Sequence, residues 1–127
     1  MTTPIEAMTK GLVYISETDA AVIPFTGGTS PAVTAEEILR HTGQGADTTV
    51  ETITASDFFD RLTKVKDWFG DTEIKRARQY AELRAELERT LIGLTVFKVG
   101  RVQIDLYIVG LDEDGRLAGV RTKAVET

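Results

Sequence analysis

The sequence predicts one layered α/β domain, of the α+β kind, with helices on both faces of a sheet that closes on an antiparallel meander. Residues 94–127 contain three strand-like runs, TVFKVG, RVQIDLYIVG and RLAGVRTKAVET, joined by two Gly-marked turns. In the middle run Val102, Ile104, Leu106 and Ile108 alternate with Gln103, Asp105 and Tyr107, the period of a strand whose two faces meet different surroundings. Upstream, helical patterns precede the sheet and one long amphipathic run follows its middle, an order that suits a layered domain.

Composition sets the bounds. With 127 residues, 42% hydrophobic and 28% charged, residues 1–127 fit a single domain with a proper core. The absence of Cys excludes disulfides, a zinc thiolate site and a cysteine nucleophile, and suits a reducing compartment. A single His excludes any site that needs two. There is no basic segment followed by an apolar one at the N-terminus, and no apolar run approaches the roughly 18 residues of a membrane span. The expectation is a cytoplasmic protein without membrane contact, monomeric when free. A formal charge of −5 argues against direct nucleic-acid binding, which depends on Lys and Arg neutralising phosphates, and favours a basic partner over an anionic one. Mild acidity also serves solubility by itself.

Taken in order, residues 2–10 predict a short helix leading into Gly11. LVYIS follows as a strand and stops at an acidic loop of Glu17, Thr18 and Asp19. Val22 to Phe25 includes Pro24, which places it at a sheet edge or outside the sheet. Gly27, Gly28 and Pro31 then read as a loop. Thr34-Ala35-Glu36-Glu37 is a capping-box pattern, with Val33 and Ile38 spaced as a hydrophobic staple. That helix should end near His41, whose ring is expected to meet the last carbonyls, with Gly43 as the exit.

Residues 49–53 read as a strand, and Thr54 with Asp57 repeats the capping box for a helix with Phe58, Phe59 and Leu62 on its apolar side. The loop from Lys64 to Gly70 carries the only Trp, Trp68, and a tryptophan so placed is more often a plug of the core than a contact residue. Asp71 can cap a helix to about Ile92, its apolar stripe running through Ile74, Ala77, Tyr80, Leu83, Leu87 and Leu91. Gly93 is expected to end it. Asp112 to Gly115 reads as a hairpin turn; its likeness to a calcium loop fails because the later ligand positions are not supplied in register. The last strand runs out to Glu126 and Thr127, where two carboxylates and a hydroxyl are expected at the chain's end.

Chemistry is sparse. There is no Gly-rich phosphate loop, paired histidine, zinc spacing or nucleophile set, so no cofactor, no intrinsic metal and no catalytic residue is assigned. The residues do carry a resemblance. GLVYISETD, VTAEEILRHTGQG, SDFF, KDWF, VGRVQIDLYIVG and LAGVRTKAVET, in this order and spacing from Gly11 to Thr127, resemble the cyanobacterial nuclease A inhibitor family. The His-Thr-Gly-Gln-Gly turn, the Asp67-Trp68 loop and the ending Val125-Glu126-Thr127 are its most specific parts; residues 20–32 and a shortened N-terminal helix depart from the pattern. The resemblance implies a three-layer α/β/α sandwich without catalytic activity that plugs the active site of a sugar-nonspecific, Mg²⁺-dependent nuclease. It implies partner contacts by Glu17, Trp68 and Thr127, with Thr127 reaching the metal of the bound nuclease. Two other readings stand beside it: an interaction module on the same scaffold with a non-nuclease partner, and a small enzyme, which one His and no Cys oppose.

Overall fold

The computed structural model describes residues 4–127. Its first half comprises α1 (Pro4–Thr9), β1 (Val13–Ile15), β2 (Asp19–Ala21), β3 (Ile23–Thr29), α2 (Ala35–His41) and β4 (Val50–Thr54). Its second half comprises α3 (Ala55–Thr63), α4 (Asp71–Thr90), β5 (Ile92–Val99), β6 (Gln103–Leu111) and β7 (Arg116–Val125). The first three residues of the expected N-terminal helix include Thr2 and Thr3, which lie outside the described residues.

β5, β6 and β7 form the predicted meander, and the full sheet has the order β3-β7-β6-β5-β4 with every neighbouring pair antiparallel. β1 and β2 pair separately as a two-stranded ribbon. Along β6, Ile104, Leu106 and Ile108 enter one apolar cluster while Tyr107 and Val109 enter another. Because successive side chains of a strand point to opposite faces, the two clusters lie on opposite sides of the sheet. Phe58 and Phe59 of α3 and Tyr80, Leu83 and Leu87 of α4 fill the first; Ile38 and Leu39 of α2 fill the second. Helices therefore cover both faces, as the sequence pattern anticipates.

Both predicted helix starts form, each with half of its box. Thr34 Oγ1 accepts the Glu37 N–H at 3.2 Å and Thr54 Oγ1 accepts the Asp57 N–H at 3.1 Å. The Glu37 carboxylate turns to Arg40, 2.6 Å away, rather than back to the cap. At α4 the cap lies one residue earlier than expected: Gly70 is the N-cap, and its N–H donates to the Glu73 carboxylate at 3.1 Å.

Two glycine positions differ from expectation. Gly93 does not end the long helix, which stops at Thr90; it lies inside β5 at φ 71°, where the pairing with β6 slips between Ile92 and Thr95. A positive φ serves a helix exit and a β-bulge equally, so the residue type alone could not separate them. Gly27 and Gly28 are not a loop but the end of β3, where the register to β7 shifts between Thr26 and Thr29. The Gly28 N–H donates to His41 Nδ1 at 3.2 Å, so the histidine ties α2 to this strand instead of capping its own helix. Pro24 does sit in an edge strand, where a missing N–H costs no ladder bond. The Asp112–Gly115 segment is a hairpin turn: Asp112 Oδ1 accepts the N–H groups of Asp114 and Arg116 at 2.9 and 3.0 Å, which commits that oxygen to the turn.

Candidate functional site

The end of the sheet where β7 finishes is built by β1. Tyr80 of α4, 3% exposed, donates its hydroxyl to the Val13 carbonyl at 2.6 Å and so pins β1 against the helix layer. Burial raises the Tyr80 pKa, which keeps the hydroxyl a donor. Beyond β1, Ser16 Oγ accepts the Val125 N–H at 3.0 Å, and the Glu17 N–H donates to the Val125 carbonyl at 3.3 Å. The turn of the small ribbon is thereby fastened to the last residues of the large sheet.

This fastening brings together two of the three residues singled out from the sequence. One Glu17 carboxylate oxygen accepts the Thr127 backbone N–H and the other accepts the Thr127 hydroxyl at 2.7 Å. The side-chain bond first, and the backbone bond second, hold the Glu17 carboxyl below the usual glutamate range, because both favour its charged form. Next to them Glu126 pairs with Lys98 Nζ at 2.7 Å, and Lys98 also lies 3.9 Å from Glu51. Glu17, Thr127, Glu126 and Lys98, together with Tyr14, Ile15 and Arg61, line a cleft of about 410 Å³.

Trp68 does not plug the core. It is 72% exposed, and the neighbouring half-buried Phe69 packs edge-on against it, ring centroids 4.8 Å apart. With Phe69 half-buried and Trp68 turned out, the loop leaves the indole open to solvent. Lys66 Nζ lies 5.8 Å from the indole centroid. Trp68 lines a second cleft, of about 340 Å³, with Ile15, Arg61, Phe69, Arg76 and Tyr80 among its walls. Ile15 and Arg61 line both clefts, so Glu17, Thr127 and Trp68 occupy adjoining parts of one surface. No hydrogen bond or ring contact joins Trp68 to either of the other two.

Several members of this surface were not legible beforehand. Ile15, 50% exposed, is an outward position at the end of a three-residue strand. Its exposure in the cleft wall with Trp68 shows in the sequence only as an apolar residue next to a polar turn. Arg61 lies off the apolar stripe of α3 and reads as an ordinary solvated cation until the clefts are seen. Among the described residues no group of three or more His, Cys, Asp or Glu is arranged to hold a metal ion, and no helix is long and apolar enough to cross a membrane.

Apolar side chains exposed together, ringed by charged ones, are the usual mark of a protein-contact surface. Comparison with curated proteins finds no match. A family model, described as nuclease A inhibitor-like protein, matches residues 1–127. With the match covering the full sequence, and with the resemblance running through the ribbon turn, the tryptophan loop and the ending at Thr127, the chain belongs to the nuclease A inhibitor-like family.

Proposed function

We propose that this chain inhibits a sugar-nonspecific, Mg²⁺-dependent nuclease by occluding its active site, through Glu17, Trp68 and Thr127. Family membership supports the inhibitor role in general. The observation that carries the finer reading is the clasp between Glu17 and Thr127 beside an exposed Trp68. A nuclease cleft binds phosphate oxygens through cations and a metal, so carboxylate and hydroxyl oxygens held in a fixed arrangement can take those places without offering a bond to cleave. Glu17 orients Thr127 before binding, which reduces the ordering cost on association. Trp68 supplies buried area next to the polar contact, where binding energy concentrates. The net negative charge draws the chain toward a basic cleft.

Plasmid degradation by such a nuclease, titrated with the native chain and with a chain lacking Thr127 at fixed salt and metal, tests this. Stoichiometric inhibition by the native chain, lost in the shortened one, is the expected result. Inhibition by neither would mean that the surface serves a different partner.

A further inference from the structure

The surface described above has two halves of opposite sign. The Glu17 half is acidic, in keeping with the chain as a whole, but residues 61–78 hold six Lys and Arg against three Asp and Glu. That segment includes α3's last turn, the tryptophan loop and the first two turns of α4. Arg61 and Arg76 line the cleft under Trp68, whose apolar walls include Val13, Ile15, Leu62, Phe69 and Ala77. Lys66 stands over the indole itself.

Three nearby carboxylates have partners of their own, while Asp57 shares a neighbouring pocket with Arg61. Asp60 pairs with Arg84 at 2.9 Å, and Glu73, also in the cleft wall, accepts the Gly70 N–H at 3.1 Å. Glu126 pairs with Lys98. Among the described residues, Arg61 and Arg76 form no salt bridge. Two guanidinium groups against the single carboxylate of Glu73, around an exposed indole and an apolar floor, are complementary to a carboxylate-bearing segment that also carries an apolar side chain.

We propose that the cleft under Trp68 is a docking site for an acidic loop of the bound nuclease, held by Arg61 and Arg76 while Trp68 covers the loop's apolar side chain. This rests on the inhibitor reading above and adds a polarity to it. The Glu17 half faces the cationic cleft of the nuclease and the Trp68 half faces an acidic rim beside it. Opposite signs on the two halves fix the orientation of the complex, since a rotated encounter would set like charges against each other.

The test is calorimetric titration of the nuclease with the native chain and with Arg61→Gln/Arg76→Gln, Arg61→Glu/Arg76→Glu and Arg61→Lys/Arg76→Lys, at low and high salt, with Glu17→Ala as a reference. Trp68 is the only tryptophan, so its fluorescence follows the cleft directly. The Gln pair is expected to weaken binding about tenfold or more and the Glu pair about a hundredfold, with the gap narrowing in high salt and the Lys pair closer to native than either. Arg61 is exposed and Arg76 half-buried, and neither belongs to the apolar core, so thermal melts are expected to stay near native; should the Glu pair melt early, the Gln pair decides. If Glu17→Ala weakens binding while the Gln pair binds within about twofold of native, the acidic-loop inference is wrong and the inhibitor reading stands. If the native chain does not bind, both fall.

Discussion

Glu17 and Thr127, 110 residues apart in the chain, are joined by two hydrogen bonds, both donated by Thr127 and one received at each oxygen of the Glu17 carboxylate. The fold makes this contact by fastening the β1–β2 turn to the end of β7, and the contact fixes the direction in which Thr127 presents its oxygens. Both groups are exposed, so the pair adds little to stability.

Replacing Glu17 with Gln removes the charge and one acceptor. Inhibition in the plasmid assay is expected to weaken about ten- to hundredfold, while the urea midpoint stays at the native value. Thr127→Val keeps the backbone bond and loses only the hydroxyl, so its effect is expected to be the smaller of the two.

The same clasp predicts a pH dependence. The Glu17 carboxyl is held below its ordinary range in the folded chain by the Thr127 bonds. A group with a depressed folded pKa contributes fully above its unfolded pKa and loses that contribution as pH falls through the folded one. The Thr127 amide resonance should therefore stay constant from neutral pH down to the ordinary glutamate range. It should move only below that range, together with the Glu17 carboxyl carbon. A Thr127 resonance that shifts at neutral pH would contradict the assignment.

Trp68→Ala is expected to leave thermal stability unchanged, because an indole 72% exposed removes little surface from water on folding. Binding to the nuclease should fall by about 2 kcal/mol or more, the scale of an aromatic anchor. Fluorescence offers a second readout: the emission maximum of the free chain should lie at the position of a solvated indole and move to the blue on complex formation.

Tyr80→Phe separates scaffold from surface. It leaves the ring in the core but removes the hydroxyl that bonds the Val13 carbonyl. Urea denaturation should report a loss of about 1–2 kcal/mol, most of it the cost of a carbonyl left without its partner. Because β1 carries Ile15 and leads into Glu17, inhibition is expected to weaken as well, although Tyr80 lies beneath the surface.

Local signals in the sequence were sufficient wherever one short segment decided the outcome. Thr34 and Thr54 cap their helices, Pro24 marks an edge, and the alternation from Ile104 to Ile108 places β6 between two cores, although Val102, expected in the same stripe, is 50% exposed in the bend before the strand. They fail where a residue type serves two structures. Gly93 and Gly28 have the pattern of punctuation but sit at irregularities inside strands, and His41 accepts from a distant backbone N–H rather than meeting its own helix end. Trp68 shows the same limit: burial of a loop aromatic depends on which of two neighbours the tertiary packing accepts, and Phe69 takes the inner place. The contact between Glu17 and Thr127 left no local trace, since it depends on the ribbon meeting β7. The family resemblance named both residues; only the fold puts them side by side.

The borders of the sheet have a consequence for how the molecule behaves when crowded. One border strand, β3, is interrupted by Pro24 and by a register slip that His41 closes over; the other, β4, spans only five residues and carries Glu51. Short, charged or irregular borders are poor templates for the strand of another molecule. Ribbon-like self-assembly through the sheet is therefore disfavoured at both ends, and the chain can accumulate without its own β-structure seeding aggregates.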